Sequence, residues 1–222
     1  MRKAYFCIDG FTFKRISDFY KYEHKRHSRL NIAAMELYLR FEIERRLGWN
    51  SDTQHLDVEK HFYHPNESPE TGGYRLNVEE AILKFEKALI DFGYAIHYAK
   101  HGRGNTIHPR PNESVYSDWL IASQLKKYDA FALFSTQGQY SNLLRKTMKC
   151  KIPVILIGWN GPCTNSSGIR SEWKTDKSLI ECADVYCPLE KILNSSNRRN
   201  PIADVMFERI FCPSYLLSQR CG

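Results

Sequence analysis

The strongest constraint on the fold is a stretch near the middle of the chain, where an apolar run at residues 129–134 leads into a polar turn at 135–140. The run has the length of a buried strand, and the turn contains Gly138. An amphipathic segment follows, with Leu143 and Leu144 on its apolar side. The pattern predicts a strand, a loop and a helix. In an open α/β sheet such a loop leaves the carboxyl end of its strand, where ligands bind.

Similar strand and helix patterns alternate along the rest of the chain. Further runs of strand character cover residues 4–8, 60–63, 94–99 and 152–158, with a small strand after Asp184. Helical periodicity covers residues 28–47, 77–93, 117–125 and 141–148. This alternation predicts right-handed crossovers and a parallel sheet covered on both faces. The expected fold class is α/β, a three-layer sandwich around a mainly parallel sheet of about five or six strands.

Length and composition favour one domain with a short tail. The chain has 222 residues and 42% hydrophobic composition, typical of a single globular unit that buries its core without staples. We expect residues 1–193 to form this domain. Residues 194–222 are predicted to be a polar linker and a C-terminal helix, at residues 202–217, that packs on the same domain.

Cysteine usage and hydropathy favour a cytoplasmic protein. The seven cysteines are odd in number and scattered, without a Cys-x-x-Cys pair, which indicates reduced thiols. The apolar run at residues 4–8 is too short for a signal peptide, and no segment approaches membrane-spanning length. We therefore expect no membrane association.

The charge balance suits a polyanionic partner. Lys and Arg number 32 against 25 Asp and Glu, giving a net charge of +7, which RNA binding or solubility explains equally well. Residues 14–29 mix basic and aromatic side chains, which can hold phosphates and stack bases. A solvated helix face with its aromatics turned to the core is the alternative. With a basic loop at 100–114, the candidate nucleic-acid-binding residues are Lys14, Arg15, Lys25, Arg26, Arg103 and Arg110.

Two aspartates are candidates for chemistry. Asp9 ends the first strand beside Gly10, and Asp118 lies in the predicted first turn of the helix at 117–125. Each has the alternative role of a helix cap, which is common for Asp ahead of a helix. His61 and His64 predict no metal pair, because residues three apart on a strand point to opposite faces.

The order of these features resembles the NYN domain, a PIN-like ribonuclease fold. The resemblance rests on the strand ending in Asp9, the helix carrying Asp118, the strand and loop at 129–140, and the late Leu179-x-x-x-Ala183-Asp184. It implies an α/β nuclease whose carboxylates, at the carboxyl edge of the sheet, bind Mg²⁺ or Mn²⁺ and hydrolyse RNA. It also implies that Asp9 and Asp118 occupy metal positions of the family.

The chain departs from the family at the acidic centre. Where the family loop reads Ser-Gly-Asp-Ser-Asp-Phe, this chain has Gln137 and Gln139 in place of the two acids, and Gln124 replaces a helical Asp. A glutamine carbonyl carries no charge, so the site should bind Mg²⁺ far more weakly. Compensation by Glu67 or Glu113 is an open alternative.

Two functions therefore remain in view. One is a metal-dependent endoribonuclease whose catalytic residues would be Asp9, Asp118, Ser135, Gln137 and Gln139, with Mg or Mn held by Asp9 and Asp118. The other, which the lost acids favour, is a pseudo-nuclease that binds RNA with weak or no cleavage. A protein-interaction module, a homo-oligomer or a protein partner also stays open. A nucleotide-binding module is disfavoured because no phosphate loop is present.

Overall fold

Six parallel strands form the central sheet of the computed structural model, which describes residues 1–24, 28–49, 55–64, 76–98, 111–124, 128–164, 168–193 and 211–213. The strands are β1 (Arg2–Asp9), β2 (Ser28–Leu30), β3 (Leu56–His64), β4 (Tyr94–Tyr98), β5 (Ala130–Phe134), β6 (Val154–Gly158), β7 (Gly161–Thr164), β8 (Arg170–Trp173), β9 (Val185–Pro188) and β10 (Phe211–Pro213). The helices are α1 (Gly10–Tyr22), α2 (Ile32–Leu47), α3 (Leu76–Asp91), α4 (Pro111–Gln124), α5 (Ser141–Lys149), α6 (Lys177–Ile180) and α7 (Leu189–Leu193). The predicted α/β sandwich is confirmed.

The order of strands in the sheet is β4-β3-β1-β5-β6-β9, and every neighbouring pair is parallel. From the central β1 the chain first builds outward through β3 and β4, then returns to build the other half through β5, β6 and β9. The reversal falls between β1 and β5. Doubly wound sheets open a crevice at such a point, beyond the carboxyl ends of the two strands. The residues at this crevice are Asp9 and the loop after Phe134.

The sheet has an apolar core on each face, because side chains alternate along every strand. On one face, Phe6 and Ile8 of β1 pack with residues of α1 and α2, such as Ile16 and Met35. The other face packs against α4 and α5, and its cluster includes Tyr5, Cys7, Val115, Trp119, Leu143 and Leu144. The two clusters give the three layers of the sandwich.

Helix α1 takes up most of the basic and aromatic segment. Phe13, Phe19 and Tyr20 are buried in the core, while Tyr22 is 60% exposed. The alternative of a helix with its aromatics turned to the core is therefore confirmed for Phe13, Phe19 and Tyr20. Trp173 of β8 lies 5.6 Å from Phe11 between ring centroids, which places the β7–β8 hairpin beside α1. The sequence analysis predicted no strand in the region of this hairpin.

Helix boundaries differ from the prediction at two places. α2 begins at Ile32 with Asn31 as its cap, and the preceding residues form the short strand β2. α4 begins at Pro111, which suits a first helical position because proline has no N–H to leave unpaired. Asp118 therefore lies in the middle of α4, and the expectation of a first-turn position is wrong.

The C-terminal helix predicted at residues 202–217 is wrong at residues 211–213. These form β10, which pairs antiparallel with β2 because backbone pairing along an open strand outweighs local helical preference. The rest of that segment and the linker at 194–200 lie outside the described residues. Of the helices that the structure describes, none combines the length and apolar character required to cross a bilayer.

We expect Gly10→Ala to destabilise the fold by about 1–3 kcal/mol, because overpacking forces neighbouring atoms apart. A Cβ at Gly10 would lie 2.5 Å from the backbone oxygen of Tyr63 and 2.9 Å from the ring of Phe62. Urea unfolding measures the loss. Gly48→Asn is the control, since Gly48 has open space around it and asparagine tolerates its positive φ of 66°. Equal stability of Gly10→Ala and wild type would contradict this close approach.

Candidate functional site

The carboxylate of Asp9 is the centre of the switch-point crevice. Ser135 Oγ donates to Asp9 Oδ2 at 2.8 Å, and Thr12 Oγ1 donates to the same oxygen at 2.8 Å. The backbone N–H of Phe11 donates to Oδ1 at 3.1 Å, so Asp9 also caps α1. The residue is 1% exposed. Both carboxylate oxygens are therefore engaged by groups of the protein, and the cap alternative holds for Asp9.

Burial dominates the electrostatics of this carboxylate. It raises the pKa of Asp9, and the hydrogen bonds from Ser135 and Thr12 oppose that rise. Because the pKa is higher in the folded state, the folded protein binds a proton at Asp9 more tightly than the unfolded protein does. The resulting stabilisation is present at low pH and is lost as pH rises through the pKa of the folded state. The link between β1 and the loop after β5 is thus made at an electrostatic cost.

The loop after β5 presents amide and hydroxyl groups at the crevice. Ser135 and Thr136 are buried, Gln137 is half-buried and Gln139 is exposed. The Gln137 N–H donates to Ser135 Oγ at 3.1 Å, which fixes the start of the turn. The loop then closes into a short 3₁₀ turn, Gly138–Tyr140, that leads into α5. Ser135 and the two glutamines therefore follow the carboxyl end of β5, as the sequence predicted.

Asp176 is a carboxylate at this loop that sequence reasoning missed. A Cβ on Gly138 would collide with the Asp176 carboxylate, and the Asp176 N–H donates to the Thr136 carbonyl at 3.1 Å. Its Oδ1 caps α6 through Ser178, and these hydrogen bonds lower the pKa of Asp176. The signal in the sequence was an Asp two residues before Ser178 at the start of a short helix, a pattern typical of a cap.

Asp118 belongs to a second polar group, at the ends of β3 and β4. Its Oδ2 accepts from Tyr63 OH at 3.1 Å and lies 3.1 Å from Nδ1 of His97. His97 Nε2 is 2.9 Å from His61 Nδ1, and His61 Nε2 is 3.3 Å from Glu59 Oε1. The result is a continuous chain from Glu59 through the two imidazoles to Asp118.

Cross-strand register creates this histidine pair. Tyr63 of β3 is the partner of His97 on β4, and the two rings stack with centroids 4.5 Å apart. His61 reaches the same face two residues earlier, while His64 lies near Glu86 of α3. His61 and His64 therefore contact different groups. The sequence missed the His61–His97 contact because it joins two strands distant in the chain.

Burial keeps both imidazoles neutral at pH 7. It lowers the pKa of His61 to about 4, with a further contribution from the neighbouring His97. It also lowers the pKa of His97, against the opposing effect of the Asp118 carboxylate. Each neutral imidazole donates one hydrogen and accepts another, so the two rings supply hydrogens for two of the three contacts between Glu59 and Asp118.

Only part of the proposed acidic centre comes together directly. Asp9 and Ser135 are hydrogen-bonded, whereas Asp118 is engaged by His97 and Tyr63. Asp9 and Tyr63 are register partners at the carboxyl ends of β1 and β3, so the two polar groups lie on the same edge of the sheet. The catalytic roles of these residues stay predictions.

The described side chains at this edge do not form a donor set that fits Mg²⁺ or Mn²⁺. A hard divalent cation needs several oxygens that converge on one point. Both oxygens of Asp9 already accept hydrogen bonds, and Asp118 faces a histidine and a tyrosine. Within the described ranges, no three His, Cys, Asp or Glu side chains form a group that could hold a metal ion. Glu67 and the side chain of Glu113 lie outside the described part of the chain.

The predicted nucleic-acid-binding residues are described only in part. Lys14 pairs with Asp18 at 2.6 Å on the surface of α1. The guanidinium of Arg15 lies against two rings, 4.5 Å from the centroid of Phe11 and 4.7 Å from that of Trp173. The remaining four candidates, Lys25, Arg26, Arg103 and Arg110, lie outside the described residues.

Comparison with known proteins bears on the fold of this protein. No family model matches the chain, and no curated protein matches it. The crystal structure of a protein of unknown function from Vibrio parahaemolyticus is similar, with a TM-score of 0.55 and 14% identity over 85% of this chain and 93% of that one. At this identity the likeness shows the shared α/β fold alone.

We expect Asp9→Ala to lose about 2–4 kcal/mol of folding free energy, because the cap and the acceptor for two buried hydroxyls are removed together. Asp9→Asn should lose less, since an amide oxygen can replace part of the acceptor and the buried charge is relieved. Urea unfolding at pH 7.5 measures both losses, with Asp91→Ala, at the exposed end of α3, as the control. An Asp9→Ala variant as stable as wild type would contradict the structural role of this carboxylate.

The histidine pair predicts a loss of stability in mild acid. The folded state disfavours protonation of His61, so its contribution is complete above the unfolded pKa of 6.5 and is lost as pH falls toward about 4. This amounts to about 2 kcal/mol at pH 5. Unfolding free energies at pH 7.5 and 5.0 measure it. His61→Gln should remove most of the dependence, and His55→Gln, at an exposed histidine, should keep it. An unchanged pH dependence in His61→Gln would count against the assignment.

Proposed function

We propose that this protein is a PIN-like, NYN-type pseudo-nuclease that binds single-stranded RNA with weak or no cleavage. The observation that carries the proposal is the state of Asp9, whose carboxylate is buried and holds three protein donors. A carboxylate used in this way stabilises the fold and keeps little capacity to hold a cation. The proposal keeps the fold of a nuclease and gives the crevice a binding role.

The uncharged loop supports binding of a polyanion at the crevice. In the family that the chain resembles, carboxylates at this loop repel phosphate unless a cation neutralises them. Here Gln137 and Gln139 stand at those positions, so the repulsion is reduced to that of the Asp176 carboxylate beside Gly138. Amide groups can also donate to phosphate oxygens and accept from base edges. Binding then requires no divalent ion.

An aromatic and cationic platform beside the crevice supports a single-stranded ligand. Phe11 follows Asp9 by two residues, and Arg15 lies against both Phe11 and Trp173. Phe11 and Trp173 are half-buried, which leaves part of each ring accessible. Rings and guanidinium groups stack unpaired bases with little sequence preference. The net charge of +7 has the sign that this ligand requires.

We also propose a cytoplasmic location. Among the described residues, Cys7, Cys150, Cys163, Cys182 and Cys187 are free thiols. Unpaired cysteines in such number suit a reducing compartment, where RNA is also available. Labelling of the intact protein from cells with a thiol reagent, before and after reduction, tests this point, and a gain in labelled thiols after reduction would contradict it.

We expect the wild-type protein to bind a single-stranded RNA oligonucleotide in EDTA and to leave it intact in Mg²⁺ or Mn²⁺. Gln137→Glu/Gln139→Glu should weaken binding in EDTA, because it adds two negative charges to the crevice without a change of shape. Filter binding and denaturing gels measure the two properties. The control is Leu83→Glu/Ile90→Glu, which adds the same charge at exposed positions of α3.

Two results would overturn the proposal. Absence of RNA binding by the wild type would remove the ligand. Metal-dependent cleavage that is lost in both Asp9→Asn and Asp118→Asn would instead establish the active endoribonuclease. In that case the two aspartates act with the glutamines as a working centre.

A further inference from the structure

Helix α5 carries a basic outer face, which also exposes Asn142 and Met148. Residues 141–151 contain four Lys or Arg and no Asp or Glu. The inner face buries Leu143, Leu144 and Thr147, so it is fully used by the core. The outer face exposes Arg145 and Lys149 to solvent. Such a helix cannot offer an apolar side to a membrane, and its free face is one of positive charge.

This face lines an open cleft of about 460 Å³ between α4 and α5. Arg145, Lys146 and Lys149 lie along one side, and Tyr116 of α4 faces them. Gln139 closes the end nearest the crevice, because it belongs to the loop that follows Ser135. The cleft is therefore continuous in sequence and in space with the proposed RNA site.

The two walls of the cleft are held at a fixed spacing. Nε1 of Trp119 on α4 donates to Oγ1 of Thr147 on α5 at 2.6 Å, and Thr147 is itself bonded to the Leu143 carbonyl at 3.0 Å. These groups are buried, so the tie is shielded from water. The basic side chains are presented from a packed surface that a ligand does not need to assemble.

The charges of the cleft have no carboxylate to neutralise them. Elsewhere on the surface, helical lysines pair with an acid one turn away, as in Lys14–Asp18, Lys84–Glu80 and Lys177–Glu181. Across the segments that the structure describes, no acid forms an ion pair with Arg145, Lys146 or Lys149. The dipole of α5 favours cations in its last turn, but it does not account for the lack of acids along the whole helix.

We propose that this cleft holds the phosphate backbone of the single-stranded RNA and guides it to the crevice at Gln139. The inference rests on the proposed function and adds the path of the strand. Positive side chains spaced along a groove track successive phosphates, and an aromatic wall stacks a base. Tyr116 supplies the aromatic wall, and Lys146 Nζ lies 4.7 Å from its ring centroid, next to its hydroxyl.

The test compares two double variants that each remove two charges from the net +7. Arg145→Gln/Lys149→Gln removes them from the cleft, and Lys84→Gln/Lys87→Gln removes them from α3, across the sheet. A labelled single-stranded oligouridylate is titrated by fluorescence anisotropy over a range of KCl. Loss of two phosphate contacts should make the log–log salt slope shallower by about 1.4 and weaken binding about 25-fold at 0.1 M salt. The α3 variant should stay close to wild type in both.

Variants of Tyr116 distinguish the contribution of base stacking to RNA affinity from that of charge. Tyr116→Phe should keep most of the affinity and Tyr116→Ala should lose about 5- to 100-fold, with the salt slope of both unchanged. Thermal unfolding of every variant is measured alongside, and Lys146 is left in place because it contacts Tyr116.

The outcomes separate this inference from the proposed function. If wild type binds RNA and the two double variants weaken it equally, the cleft is not the track and only the path is wrong. If the cleft variant binds as wild type does, the path is again overturned while RNA binding stands. If wild type shows no binding at any salt concentration, the proposed function itself fails. A selective loss in the cleft variant with a shallower slope supports both.

Discussion

The buried carboxylate of Asp9 is the interaction on which the rest of the crevice depends. It receives the first turn of α1 through Phe11 and Thr12, and the loop after β5 through Ser135. A single side chain therefore sets the positions of the central strand, the helix after it and the loop that bears the glutamines. A hydrophobic residue at this position would leave the donors without an acceptor. If the carboxylate held a metal ion instead, the donors would have to bond to water.

The acids at this edge of the sheet are compensated in different ways around Asp9 and around the His61–His97 pair. At Asp9 one buried acid is shielded by neutral donors from the loop and from α1. At β3 and β4 two acids are separated by two imidazoles whose lowered pKa values keep them uncharged. The cationic side chains on the outer side of α5 add a positive field near the loop, which the Asp176 carboxylate beside Gly138 opposes.

Periodicity and chain order predicted the α/β sandwich, the strand at residues 129–134 and the position of Asp9 and Ser135 at one edge. These features follow from local patterns, since alternation of elements almost fixes a doubly wound topology. The His61–His97 pair, the Asp176 contact and the β7–β8 hairpin were missed. Each depends on register between distant segments or on packing against α1, which a linear pattern does not contain. Asp118 was misplaced in its helix because Pro111 starts α4 earlier than the apolar pattern suggests.

The antiparallel pair of β2 and β10 joins the first quarter of the chain to residues 211–213. During synthesis β2 emerges early, with its backbone N–H and C=O groups unpaired along one edge until β10 leaves the ribosome. An exposed edge of this kind recruits other strands, including those of neighbouring nascent chains. In the folded unit β10 covers one edge of β2. Premature termination upstream of Phe211 would release a chain with a complete parallel sheet and an edge open to self-association.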